Sequence, residues 1–181
     1  MCGTLRSIMQ AVFNLLARLE CPMLIIGGHA LEAHGVARQT VDVDCLIVEK
    51  DRDAVDDLLR GGGYVLQGST ENFARYTHPS PALPEVDLLF VDEPVFEKLL
   101  AAAIPLRRGS REFRVPSLTH LIALKLHAMR NDSQREARDL GDIVELLRAN
   151  PGVVAAVELN ELCARFGSAD VAQKLAASLP Q

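Results

Sequence analysis

Apolar residues recur at Ile8, Ala11, Val12, Leu15, Leu16 and Leu19, the spacing of one helical face, so a helix is expected over 5–19, ending before Cys21-Pro22. The short apolar run 23–26 predicts a buried strand closed by Gly27-Gly28. Residues 29–34 read as a short helix ended by Gly35, and 41–48 as the next strand. A helix over 51–60 follows, with Asp51 and Asp53 favouring its positive end. Gly61-Gly62-Gly63 breaks the chain before a hairpin around 64–66 and 73–77. Pro79, Pro81 and Pro84 mark an irregular connection to a strand over 85–91. Helix is expected over 93–102, a short extended piece over 112–115, and helical spacing from Ser117 almost to the end.

Strands mixed with helices, then helices alone, predict an α/β (α+β) fold: a mixed β-sheet with flanking helices and a C-terminal helical cap. The expected organisation is a core over 1–115 and a helical region over 116–181 packed on it.

Composition narrows the partners. In a chain of 181 residues, 49% hydrophobic content argues against disorder, and a net charge of -5 gives no global footprint for nucleic acid. Cys2, Cys21, Cys45 and Cys163 lack the paired spacing of a zinc or redox motif and read as small hydrophobes in a reducing compartment. His29 and His34 have no carboxylate or cysteine in zinc-site spacing beside them. No apolar run has the roughly 20 residues of a membrane span, and the N-terminal region lacks the order of a signal peptide. A cytoplasmic protein without a membrane partner is expected.

The chemistry gathers on the two apolar strands. Asp42 and Asp44 stand two apart in 41–48, so both carboxylates point to one side of the sheet and can converge on a hard cation such as Mg²⁺. An isolated D-x-D on an amphipathic strand simply faces water. Here a glycine pair, which lets backbone approach a ligand closely, precedes it in a βαβ-like unit. Asp87, inside Glu85-Val86-Asp87-Leu88-Leu89-Phe90, is the candidate third carboxylate, with Glu85 on the same strand face as its competitor. Arg38 suits phosphate or an acceptor by its guanidinium geometry.

On the later helices, Lys125 shares a face with Leu118, Leu121, Ile122, Leu126 and Met129 and needs a partner there. Asp139 and Asp142 are candidates for that partner. Arg107, Arg108, Arg111 and Arg114 read either as a solvated hairpin face or as a guide for RNA or triphosphate.

Gly27-Gly28, Asp42-x-Asp44 and the apolar-Asp87-apolar strand resemble the three-part signature of the nucleotidyltransferase superfamily related to DNA polymerase beta. Ile26-Gly27-Gly28-His29-Ala30 with Arg38-x-Thr40-x-Asp42-x-Asp44, and Lys125 followed by Arg138-Asp139-Leu140-Gly141-Asp142, are similar to the AbiEii-type toxin branch. The resemblance spans roughly 23–147. It implies a nucleotidyltransferase fold and transfer of a nucleoside monophosphate from an NTP to a hydroxyl acceptor, with release of pyrophosphate. Asp42, Asp44 and Asp87 would hold two Mg²⁺ ions, with Asp87 alternatively activating the acceptor. Gly27, Gly28, Arg38, Thr40 and Lys125 would contact the nucleotide, with Asp139 positioning Lys125. The branch implies a toxin acting on tRNA and a protein antitoxin as partner. The alternatives are a small-molecule, antibiotic-type nucleotidyltransferase, from whose frequent histidine Thr40 departs, and a catalytically silent nucleotide-binding or partner-binding protein of the same fold.

Overall fold

The computed structural model describes residues 2–178, the side chains of residues 2–6 lying outside that description. The chain divides into two compact units, one of Met1–Ala30 with Arg38–Pro116, the other of Leu31–Ala37 with Ser117–Gln181. The segment Leu31–Ala37, expected within the core, thus groups with the later helices.

The first unit holds α1 (Cys2–Leu16), β1 (Met23–Ile25), the start of α2 (Gly27–Ala33), β2 (Val43–Val48), α3 (Arg52–Gly61), β3 (Val65–Ser69), β4 (Phe73–Thr77), β5 (Val86–Val91), α4 (Glu93–Ala101), β6 (Ile104–Arg108) and β7 (Arg111–Val115). Five strands form a mixed sheet in the order β1-β2-β5-β4-β3, parallel between β2 and β5 and antiparallel elsewhere. On one sheet face, Val43, Cys45 and Ile47 of β2 align with Val86, Leu88 and Phe90 of β5 and with Ala74 and Tyr76 of β4, all buried. Burying that row supplies the apolar drive that fixes register, since a slip by one residue would turn the row outward. Asp42, Asp44 and Asp87 fall on the opposite parity.

Several boundaries depart from expectation. α1 stops at Leu16, because Arg18 and Leu19 bond three residues back in a tighter turn before Pro22. β2 begins at Val43, since its partner β5 begins just after Pro84 and the ladder ends at the Val43 N–H to Glu85 carbonyl bond. The glycine pair forms the first turn of α2 instead of a separate loop. β6, to which no strand was assigned although a hairpin was one reading of the four arginines, pairs antiparallel with β7 in a two-stranded sheet. Its Pro105 and two arginines mask a strand that buries only Leu106 deeply.

In the second unit, α5 (Leu118–Asn131), α6 (Glu136–Ala149), α7 (Ala156–Phe166) and α8 (Ala169–Ser178) follow one another. Ser117 caps α5 by accepting from the His120 N–H. Leu121, Ile122 and Leu126 of α5 and Ile143 and Leu146 of α6 are buried. Cys45 and Cys163 are buried free thiols, as small hydrophobes would be. No helix is long and apolar enough to cross a membrane among the described residues.

Candidate active site

Register builds the site. Asp44 lies opposite Asp87 across the parallel β2–β5 pair, and Asp87 lies opposite Arg75 across the antiparallel β5–β4 pair. The three side chains therefore form one row across the middle of the sheet, each about 4.8 Å from the next along the hydrogen-bonding direction. Asp42 shares their parity just before β2, where the Thr40 hydroxyl donates to its backbone carbonyl at 3.3 Å.

The glycine pair serves the chain's own side chains first. A Cβ on Gly27, whose φ is +61°, would lie 1.8 Å from Asp44 Oδ2. A Cβ on Gly28 would lie 2.6 Å from Thr40 Cβ. Close approach at both positions thus seats Asp44 and Thr40 against the start of α2, a cradle that any larger residue would fill.

Asp87 is engaged. Arg75 Nε donates to its Oδ1 at 2.9 Å and Nη2 to its Oδ2 at 2.7 Å, a bidentate pair, and Nε lies 3.6 Å from Glu85 Oε2. Hydrogen bonding to Asp87 first, then the charges of Asp87, Glu85 and Asp42, push the Arg75 pKa upward. Sequence reading missed Arg75, because its relevance lies in a cross-strand register between residues 75 and 87.

Among the described residues no group of three or more His, Cys, Asp or Glu side chains gathers as a metal site. The donor chemistry still suits Mg²⁺: Asp42 and Asp44 offer only hard oxygen ligands, and the Gly27 cradle seats Asp44. The third carboxylate is held by a guanidinium.

Beside Asp42 opens a cavity of about 410 Å³. Ile8, Met9, Val41 and the 81–84 loop give it apolar walls, and Asp42, Glu85 and His78 its polar ones. Arg38 lies half-buried in the segment leading to β2. His29, after the glycine pair, is buried edge-on to Phe13 with ring centroids 5.1 Å apart, and Arg108 Nη2 donates to its Nδ1 at 3.1 Å. Burial first, then the Arg108 charge, lowers the His29 pKa to about 4. The ring is neutral at pH 7 with its proton on Nε2, which has no hydrogen-bond partner among the described residues. Of the four clustered arginines, Arg107 and Arg111 are exposed, Arg108 turns to His29, and Arg114 donates to the Ala103 carbonyl.

In the second unit Lys125, Asp139 and Asp142 are all buried. Lys125 Nζ donates to Asp139 Oδ1 at 2.9 Å and to Asp142 Oδ2 at 2.7 Å, and Arg135 Nε donates to Asp139 Oδ2 at 2.9 Å. Burial alone would raise Asp139, but Lys125 and Arg135 outweigh it and hold the carboxyl below its ordinary value. The expected pairing of Lys125 with Asp139 and Asp142 is present, and it occupies two of the three ammonium N–H groups.

Comparison with known proteins follows the same lines. A family model described as "Uncharacterised nucleotidyltransferase" matches residues 3–178. No curated protein matches. Among solved structures, the chain is similar to an antigenic nucleotidyltransferase-like protein from Paracoccidioides brasiliensis, with 17% identity, 97% of this chain and 92% of that one covered, and a TM-score of 0.58. It is similar to ANT(2")-Ia in complex with adenylyl-2"-tobramycin, with 14% identity, 86% and 92% covered, and a TM-score of 0.62. The lincomycin-bound lincosamide adenylyltransferase LnuA gives 14% identity, 75% and 92% covered, and 0.55. At such identities these likenesses establish the shared fold. The mixed sheet, its carboxylate row and a family match over nearly the whole chain lead to one assignment: this chain belongs to the family of uncharacterised nucleotidyltransferases.

Proposed function

We propose that the chain transfers a nucleoside monophosphate from an NTP to the hydroxyl of a small acceptor in a Mg²⁺-dependent reaction. The observation that carries this reading is the in-register Asp44–Asp87 pair, with Asp44 seated against Gly27 and Asp42 two residues away. Asp42 and Asp44 would hold Mg²⁺, which when bound supplies charge neutralisation at the phosphates. The acceptor oxygen forms its bond to the α-phosphorus as the bond to the β-phosphate oxygen breaks, and pyrophosphate leaves. Asp87 takes the hydroxyl proton on a carboxylate lone pair that the Arg75 fork does not use. Gly27, Gly28, Arg38 and Thr40 would contact the triphosphate.

A small acceptor is favoured by the cavity beside Asp42, whose volume is in the range of ligand pockets and whose walls are largely apolar. ANT(2")-Ia and LnuA, both similar in fold, have structures with adenylyl-2"-tobramycin and lincomycin bound, which supports the same size class.

The test is incubation with each α-labelled NTP, Mg²⁺ and a panel of hydroxylated small molecules beside bulk tRNA. Label is expected on a small molecule and is lost in Asp44→Asn. Label on tRNA instead would move the chain to the toxin reading, with growth arrest and a neutralising antitoxin as its next tests. Absence of label together with absence of NTP binding by calorimetry would refute transfer altogether.

A further inference from the structure

Arg75 is the residue that the proposed chemistry leaves unused. It stands third in the row across the sheet, after Asp44 and Asp87. Its next neighbour along that row, on β3, is Gly68, where an added Cβ would meet nothing within 4 Å. With no side chain on that flank, the guanidinium has one polar neighbourhood to lean into, the Asp87 and Glu85 side. Both Asp87 oxygens are taken by one rigid fork, whose planar donors match a carboxylate in a way no ammonium can.

A carboxylate gripped this way has one lone pair on each oxygen engaged and its charge already met by a guanidinium, so it is a poorer ligand for a metal ion. Resting on the reading of Asp42 and Asp44 as Mg²⁺ ligands, we infer that Arg75 stands where a second cation would otherwise sit, so that the site takes one divalent ion and a guanidinium rather than two ions. Arg75 is then a positioning residue: it supplies the positive charge at Asp87, fixes that carboxylate's orientation in the row, and leaves Asp42 and Asp44 as the site for a single ion. Its side chain is 49% exposed against 15% for Asp87, so the fork is open to solvent and can be exchanged for a cation when it is removed.

The experiment reads Mn²⁺ binding to the full chain without nucleotide, by electron paramagnetic resonance and calorimetry, for wild type, Arg75→Gln, Arg75→Lys and Asp87→Asn/Arg75→Gln. Circular dichroism melts confirm that each variant is folded. One Mn²⁺ is expected in wild type. In Arg75→Gln a second ion should bind, or Mn²⁺ affinity should rise about five- to tenfold as a charge-assisted bidentate competitor is lost. Arg75→Lys, which keeps the charge without the fork, should fall between. The gain should vanish when Asp87 is also neutralised. Two ions of similar affinity in wild type, or identical isotherms for wild type and Arg75→Gln, would overturn the inference. Because nucleotide is absent, these results stand apart from transfer: a chain that gains Mn²⁺ in Arg75→Gln yet labels no acceptor would fail the functional reading while keeping this one.

Discussion

Gly27→Ala isolates the contact at the centre of the site. Two costs add. At φ +61° an L-residue pays about 1–2 kcal/mol for the left-handed conformation. The new Cβ, 1.8 Å from Asp44 Oδ2 and 2.6 Å from its Cγ, overlaps the carboxylate outright, and driving it out costs a further ~1–3 kcal/mol. The sum, roughly 2–5 kcal/mol, corresponds to a fall in Tm of roughly 4–20 °C for a chain of this length. Gly35→Ala separates the two costs: its φ is +82°, but its Cβ would sit 3.9 Å from Ala149 Cβ, an ordinary contact, so it pays only the backbone cost. The assay is urea denaturation of wild type, Gly27→Ala, Gly35→Ala, Asp44→Ala and Gly27→Ala/Asp44→Ala, with Mn²⁺ titration in parallel. Truncating Asp44 removes the two nearest atoms and leaves its Cβ at 3.0 Å, so the double mutant should recover most of the collision cost as a favourable coupling. Gly27→Ala alone should weaken Mn²⁺ binding, because Asp44 has been turned away. Equal costs for Gly27→Ala and Gly35→Ala, or a coupling of zero, would refute the idea that the glycine exists to seat this carboxylate.

Two further tests address the buried charges. Lys125→Met leaves Asp139 and Asp142 facing each other without the ammonium, and should destabilise the protein by about 3–5 kcal/mol. Lys98→Met, on an exposed position of α4, should change stability by less than about 0.5 kcal/mol, and denaturant melts of both decide the matter. His29 sets a pH dependence whose sign follows from its depressed pKa. Unfolded, it takes a proton near 6.5, while folded it does so only near 4. The unfolded state therefore binds more protons between those values, and stability, full above pH 6.5, should fall by about 3 kcal/mol as pH drops towards 4. His29→Leu should flatten that segment in urea melts at pH 7, 5.5 and 4.5, and an unchanged slope would reject the assignment.

What could be read in the chain was whatever sits within one element or its immediate neighbours. Asp42 and Asp44 share a parity, Lys125 lies on an apolar helical face, and a lysine buried there calls for the carboxylates that α6 presents. What could not be read depended on pairings between distant segments. Arg75 is one polar residue on a short strand, and only the β4–β5 register sets it against Asp87. Spacing pointed to the glycine pair, but the reason it offered was room for a ligand. The nearest atoms turn out to belong to Asp44 and Thr40, on residues that lie well beyond the turn in sequence. The bounds of β6 escaped for a related reason, since a strand with one well-buried side chain gives almost no period to detect, and only the clustered arginines suggested a hairpin there.

The seven-residue helix α2 begins with the glycines of one unit and ends in Leu31–Ala37, which belongs to the other. That segment is no passenger there. Leu31 is 1% exposed, and Asn150 Nδ2 donates to the His34 carbonyl at 2.8 Å. The helical unit is therefore written in two instalments, the first inserted in the coding sequence of the other unit. A cut at residue 116 separates neither: one fragment carries a buried leucine with nothing to bury it, and the other lacks a piece of its own interior. Such a unit cannot be copied to another gene, fused or lost as a continuous block, so recombination must inherit the two units together or rebuild one by circular permutation.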